Sequence, residues 1–247
     1  MIRETPQRGR ARLNLLAGFW AALALAGCAL FPSAGLKPAE AAALGLTWQE
    51  CALAQDDSPQ DVENCFGHPV PRLTESERLK TGTRFDMENW QLTIGQDRYQ
   101  ARLTGQLWML ELYTLYQNGN AIKTLYGQFT AYSPSVSLQA IGGKAAWEFA
   151  SEETTTVIYD GVDLRNLYRL DKAYRPYGLG DTLIFIGQTG NHSFVVYDGQ
   201  KVGPDFDQIV IAYCCETMLW SVQGGGGRYL FWGTRAGQRY LVEITLS

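Results

Sequence analysis

Beyond about residue 85 the chain is a succession of short apolar or alternating runs, at 107–116, 182–186, 193–197, 208–213, 229–232 and 240–244, separated by Gly, Asp and Asn. That pattern predicts consecutive strands joined by tight turns. No helix of ordinary length is predicted after residue 83. Ahead of the strands, residues 58–67 predict one short helix, with Ser58 as N-cap, Pro59 at the first helical position, acids in the first turn and Gly67 as the stop. Residues 38–46 predict a helical turn or two. At the N-terminus a basic stretch with Arg3, Arg8, Arg10 and Arg12 leads into an apolar run over residues 13–25, too short for a permanent membrane span.

The strand region contains a repeat. Val157-Ile158-Tyr159-Asp160-Gly161 recurs as Val195-Val196-Tyr197-Asp198-Gly199, a step of 38. Twelve residues before each tyrosine stands an aromatic, Trp147 and Phe185, and the same spacing separates Trp220 from Trp232, which suggests a third copy. A fainter earlier copy is Leu115-Tyr116-Gln117-Asn118-Gly119. Each unit reads as strand, polar turn, strand and an Asx-Gly turn whose glycine accepts positive φ. Units of about 40 residues with roughly four strands are the size of propeller blades. Over residues 105–247 the pattern resembles the WD40-like repeats of bacterial periplasmic propeller proteins. The expected fold is therefore mainly β, with repeated antiparallel β-meanders in a β-propeller-like array. A closed β-barrel or stacked sheets would use the same strands.

Leu25-Ala26-Gly27-Cys28 resembles the lipobox of bacterial lipoproteins. The resemblance implies a signal peptide over residues 1–27 and a diacylglyceryl group on the Cys28 sulfur. It also implies a location in the bacterial cell envelope, anchored to a membrane on the exported side. Residues 28–46, rich in Ala, Gly, Pro and Leu, suit a tether. Residues 47–83 are expected to form a small helical segment, and residues 84–247 the β-repeat domain.

Loss of residues 1–27 lowers Lys+Arg from 21 to 17 and Asp+Glu from 25 to 24, a net charge of −7. An acidic surface without a basic stripe argues against nucleic acid as a partner, and against electrostatic adhesion to anionic lipid. Export also places the cysteines in an oxidising compartment. Setting Cys28 aside leaves Cys51, Cys65, Cys214 and Cys215, with three pairings open. The short, easily closed loop favours Cys51 with Cys65, leaving Cys214 and Cys215 free or as a vicinal disulfide. A zinc site is poorly supported, because neither pair has the usual two-residue gap.

Chemistry-bearing motifs are sparse. His68 and His192 are the only histidines and read as turn residues; neither belongs to a metalloprotease pattern, and no nucleophile elbow is present. Gly224 to Gly227 lead into a strand, so they read as a hairpin loop and not as a phosphate cradle. Asp160, Asp163, Asp198, Asp205 and Asp207 stand at turns, where Asp is favoured for its own sake; a shared face would make them calcium ligands. Tyr174, Tyr177, Trp220 and Trp232 offer ring faces to a sugar or peptide, with core packing as their competing role. The expectation is an envelope lipoprotein that binds a protein, peptide or glycan without catalysis and without a cofactor. The alternatives are a hydrolase of envelope polymers working through a carboxylate pair drawn from Glu148, Asp160 and Asp198, and a structural subunit of an envelope assembly.

Overall fold

A computed structural model of the chain describes residues 36–54, 59–70, 90–108, 110–128, 137–151, 154–210, 223–225 and 227–247. Cys28, Cys214, Cys215 and Trp220 lie outside the described residues.

The described fold is mainly β. Strand β1 (Lys37–Ala39), a 3-10 turn (Ala41–Leu44), strand β2 (Leu46–Leu53) and helix α1 (Pro59–Phe66) come first. Sheet 1 is a meander of β3 (Trp90–Ile94), β4 (Asp97–Leu107), β5 (Leu110–Gln117) and β6 (Asn120–Gln128). Sheet 2 follows with β7 (Ser137–Ile141), β8 (Lys144–Ala150), β9 (Thr155–Tyr159) and β10 (Val162–Asp163), then helix α2 (Leu164–Tyr168). Sheet 3 holds β11 (Lys172–Leu179), β12 (Thr182–Thr189), β13 (His192–Tyr197) and β14 (Gln200–Phe206), with β1 added parallel to β14. Sheet 4 is built from β15 (Gln208–Val210), β16 (Gln223–Gly225), β17 (Arg228–Arg235) and β18 (Gln238–Leu246). Both β15 and β16 pair with β17, so together they serve as its first strand, and β2 completes the sheet antiparallel to β18.

These are four separate sheets, and the barrel alternative is excluded for the described residues. Consecutive sheets pack face to face, because alternate residues of one strand serve two cores. On β8, Trp147 joins the core shared with sheet 1, while Ala146 joins the core shared with sheet 3. On β12, Phe185 faces sheet 2, whereas Ile184 and Ile186 face sheet 4. The far face of sheet 4 carries Leu230, Trp232 and Leu241, covered by Val62 and Phe66 of α1 and by Val70.

Three sequence expectations are corrected here. The 107–116 run is not one strand: it breaks at Trp108, whose φ of 58° turns β4 into β5. The described residues of 47–83 are not a separate helical segment, since β2 is the outer strand of sheet 4 and α1 packs on that sheet; residues 55–58 and 71–83 lie outside the described residues. Residues 36–46, expected in the tether, belong to the fold through β1 and the 3-10 turn. The repeat itself is structural. Asn118-Gly119, Asp160-Gly161 and Asp198-Gly199 all have positive φ at both positions and join the third strand of a sheet to the fourth. Their first amides bond alike to the second strand: Asn118 to Arg98 O at 2.8 Å, Asp160 to Ala145 O at 3.0 Å and Asp198 to Leu183 O at 3.2 Å.

The third copy has a different phase from the one its tryptophans suggest. Phe231 faces the preceding sheet, as Trp147 and Phe185 do, and twelve residues on the counterpart of Tyr159 and Tyr197 is Glu243. Trp232, expected at the place of Tyr159 and Tyr197, instead follows Phe231 on β17 and points to α1.

Candidate functional site

A cleft of about 290 Å³ opens between sheets 2 and 3. Its lining includes Lys144, Tyr159, Tyr168, Asp181, Phe185 and Asp198. Local backbone chemistry assembles it. Turns join first to second and third to fourth strands at the same end of each meander, so Lys144 and Tyr159 come from one end of sheet 2, Asp181 and Asp198 from the matching end of sheet 3. Ile184 pairs with Tyr197, which sets Asp198 beside Leu183, two residues from Asp181.

Glycine permits the close approach of the two turns. A Cβ on Gly142 (φ +55°) would stand 2.2 Å from the Asp181 carbonyl oxygen. The Tyr159 hydroxyl donates to Ile141 O at 3.2 Å in the same corner. Tyr168 arrives by another route. Asp163 caps α2, accepting from the Asn166 amide at 3.4 Å and side chain at 2.9 Å, and Thr156 Oγ1 donates to it at 2.6 Å. The helix ends at Arg169 in the left-handed region, which leaves the Tyr168 ring stacked on Phe185 at 6.2 Å. Gly199 gives the ring room, since a Cβ there would sit 2.7 Å from the Tyr168 hydroxyl oxygen.

The electrostatics are mixed. Lys144 Nζ is 3.0 Å from Asp160 Oδ2, and that hydrogen bond raises the lysine pKa. Burial pushes both phenols up, helped at Tyr168 by Asp198 and, at Tyr159, opposed by Lys144 and helped by Asp160 and Asp198. Both therefore keep their protons as donors at neutral pH. Asp181 and Asp198 are exposed, and neither carboxylate makes a hydrogen bond or ion pair among the described residues.

Of the candidate site residues offered from the sequence, Asp198 lines this cleft, and so do the repeat residues Tyr159, Phe185 and Gly199. Tyr174 and Trp232 are core side chains, 2% and 7% exposed, and Tyr177 stacks on Tyr229 at 6.1 Å beside the same core. Strand alternation turns Tyr174 between sheets 3 and 4 and Trp232 toward α1, while Tyr177 is half-buried at the edge of the first of these cores. The acidic residues offered for calcium are dispersed: Asp160 pairs with Lys144, Asp163 caps α2, Asp205 pairs with Lys201, and Asp207 accepts from the Ala236 amide at 2.8 Å. Among the described residues no group of three or more His, Cys, Asp or Glu side chains is placed to hold a metal. Glu148 is buried away from the cleft, accepting from the Arg175 amide at 2.7 Å and Ser137 Oγ at 3.3 Å.

Cys51 and Cys65 are disulfide-bonded, with S–S 2.05 Å and Cα atoms 6.0 Å apart, tying α1 to β2. Gly224 and Gly225 are strand residues of β16 leading into the β16–β17 hairpin. His192 opens β13. His68 has a structural partner that no local motif signals, Glu243 at 2.8 Å. Lys144, Asp181 and Tyr168 escaped the sequence reading because only the apposition of two sheets brings them together. Comparison with known proteins finds no matching family, no similar characterised protein and no similar solved structure.

Proposed function

We propose that the chain is a membrane-anchored cell-envelope lipoprotein whose β-repeat domain binds a peptide, protein or glycan through the cleft between sheets 2 and 3, without catalysis. The observation that carries this reading is the cleft itself, with two tyrosines and two carboxylates that have no partner among the described residues around one opening. Pockets with apolar walls and a few convergent polar groups are the usual form of a binding site. The array is read as propeller-like and open: four consecutive meanders and an N-terminal strand completing the last sheet support it, while α1 covers the face that a closed ring would bury.

The carboxylate pair Asp181 and Asp198 is the observation that favours the second reading, a hydrolase. Glycoside hydrolysis needs one carboxyl held in apolar surroundings so that it can deliver a proton. Both of these are exposed, so binding is the better-supported role.

The test has two parts. Radiolabelled palmitate incorporation is expected in the wild type and lost in Cys28→Ala; undiminished labelling in the variant defeats the anchor. Capture from envelope extract with the full chain in detergent is expected to recover a partner or glycan that Tyr168→Ala loses. Recovery of nothing above background, or equal recovery by the variant, defeats the cleft as a binding site.

A further inference from the structure

Three hairpin turns of the array carry the same Asx-Gly pair, yet their side chains are engaged differently. The residue just before the bonded carbonyl of the second strand is Asp97 in sheet 1, Lys144 in sheet 2 and Thr182 in sheet 3. In sheet 1 the Asn118 side chain donates to Asp97 Oδ1 at 2.6 Å. In sheet 2 Asp160 pairs with Lys144 at 3.0 Å. In sheet 3 the Asp198 carboxylate has no such partner among the described residues, and it is the turn whose acid lines the cleft.

We propose that the cleft seats a primary ammonium carried on an aliphatic stem, a lysine-type side chain of a peptide, with its charge between Asp181 and Asp198. The proposal rests on the cleft being the binding site. Charge decides against an acidic ligand: among the described residues the one cation in the lining, Lys144, is already paired with Asp160, which leaves two carboxylates without a partner there. The half-buried rings of Tyr159 and Tyr168 give an aliphatic stem a partly apolar wall in an otherwise polar opening. The faces of Tyr168 and Tyr159 also attract a cation. Lys144 itself lies 5.6 Å from the Tyr159 ring centroid, an instance of that chemistry within the fold. At about 290 Å³ the cleft is at the small end of ligand pockets, which suits one side chain better than an extended oligomer. A neutral sugar would use the rings and leave both carboxylates without a charged partner.

The test is ligand-observed saturation-transfer NMR on the full chain in detergent, with Nα-acetyl-lysine amide as probe and Nα-acetyl-norleucine amide as its neutral counterpart. Transfer to the lysine stem is expected in the wild type and in the control Asp205→Asn, which lies outside the cleft. The exposed, unengaged double variant Asp181→Asn with Asp198→Asn is expected to keep its fold and lose at least tenfold in affinity, and added salt is expected to weaken wild-type binding. Equal transfer to the norleucine probe, or undiminished binding by the double variant, overturns the proposal. If neither probe binds while Tyr168 is still needed to capture an envelope partner, the lysine-type ligand is wrong and the cleft stands. If neither probe binds and capture also fails, both are wrong.

Discussion

Glu243, standing where the repeat elsewhere places Tyr159 and Tyr197, holds the imidazole of His68 at 2.8 Å. The side chain of Glu243 is 4% exposed, and Arg228 Nη1 lies 3.5 Å from its other oxygen and 3.2 Å from His68 Nδ1. Nδ1 also lies 3.1 Å from Pro69 O, so the ring is set among Glu243, Arg228 and the Pro69 carbonyl. The contact fastens the chain after α1 to the last strand of sheet 4. His68→Ala leaves a buried carboxylate short of a partner and is expected to cost about 1–3 kcal/mol. Urea unfolding checks it: the loss is expected to shrink when Glu243→Leu is added, and strict additivity would show that the two side chains are not coupled.

The Cys51–Cys65 disulfide closes a loop of 14 residues over the same face. Loop-closure entropy puts its contribution at about 3 kcal/mol. Cys51→Ala with Cys65→Ser is expected to lower the thermal midpoint, whereas reductant, which lowers the wild type's, is expected to leave this variant unchanged.

Glu50 supplies an acid-sensitive link between β2 and β17. Burial pushes its carboxyl up, but Arg235, bonded through both amino groups at 3.2 and 2.7 Å, and Trp48 Nε1 at 2.9 Å together bring it below the ordinary value of 4.5. A depressed carboxylate pKa stabilises the fold fully above the unfolded value and ceases to do so as pH falls through the folded one. Stability is therefore expected to fall below about pH 4.5, and Glu50→Gln is expected to flatten that part of the profile measured by urea unfolding. An unchanged acid slope in the variant would remove Glu50 as a source of it.

Gly142→Ala tests how the cleft is built. Its Cβ would collide with the backbone oxygen of Asp181, in a left-handed conformation that side chains resist. The expected result is a loss of about 1–3 kcal/mol, together with weaker binding at the cleft. Gly143→Ala, with the same sign of φ but nothing within 4 Å of its Cβ, is expected to lose only the conformational part.

The Asx-Gly turns and the short helix were legible in the sequence because their chemistry is local: a two-residue turn with positive φ twice selects Asn or Asp followed by Gly, and a proline start with a glycine stop brackets α1. The pairing of β2 with β18, nearly the whole chain apart, leaves no local mark. The phase of the last repeat was misread for a related reason. Trp220 and Trp232 share the twelve-residue spacing, and Tyr229 to Trp232 are all large and buried, so spacing and composition alone do not single out Phe231 as the residue that faces the preceding sheet. The cleft was the least legible feature. Asp198 was visible as a turn residue, but Asp181 looked like any other turn acid, and Tyr168 depends on the five-residue helix α2, too short to show a period.

The claim that the cleft is where this protein meets its ligand is tested most directly in living cells, by photo-crosslinking with p-benzoylphenylalanine at Tyr168 of the full chain. The account predicts ultraviolet-dependent adducts at that position that diminish when Asp181→Asn and Asp198→Asn are present, and no adduct when the same group replaces exposed Leu246 in strand β18. Adducts at Leu246 alone, or none at Tyr168, would contradict it.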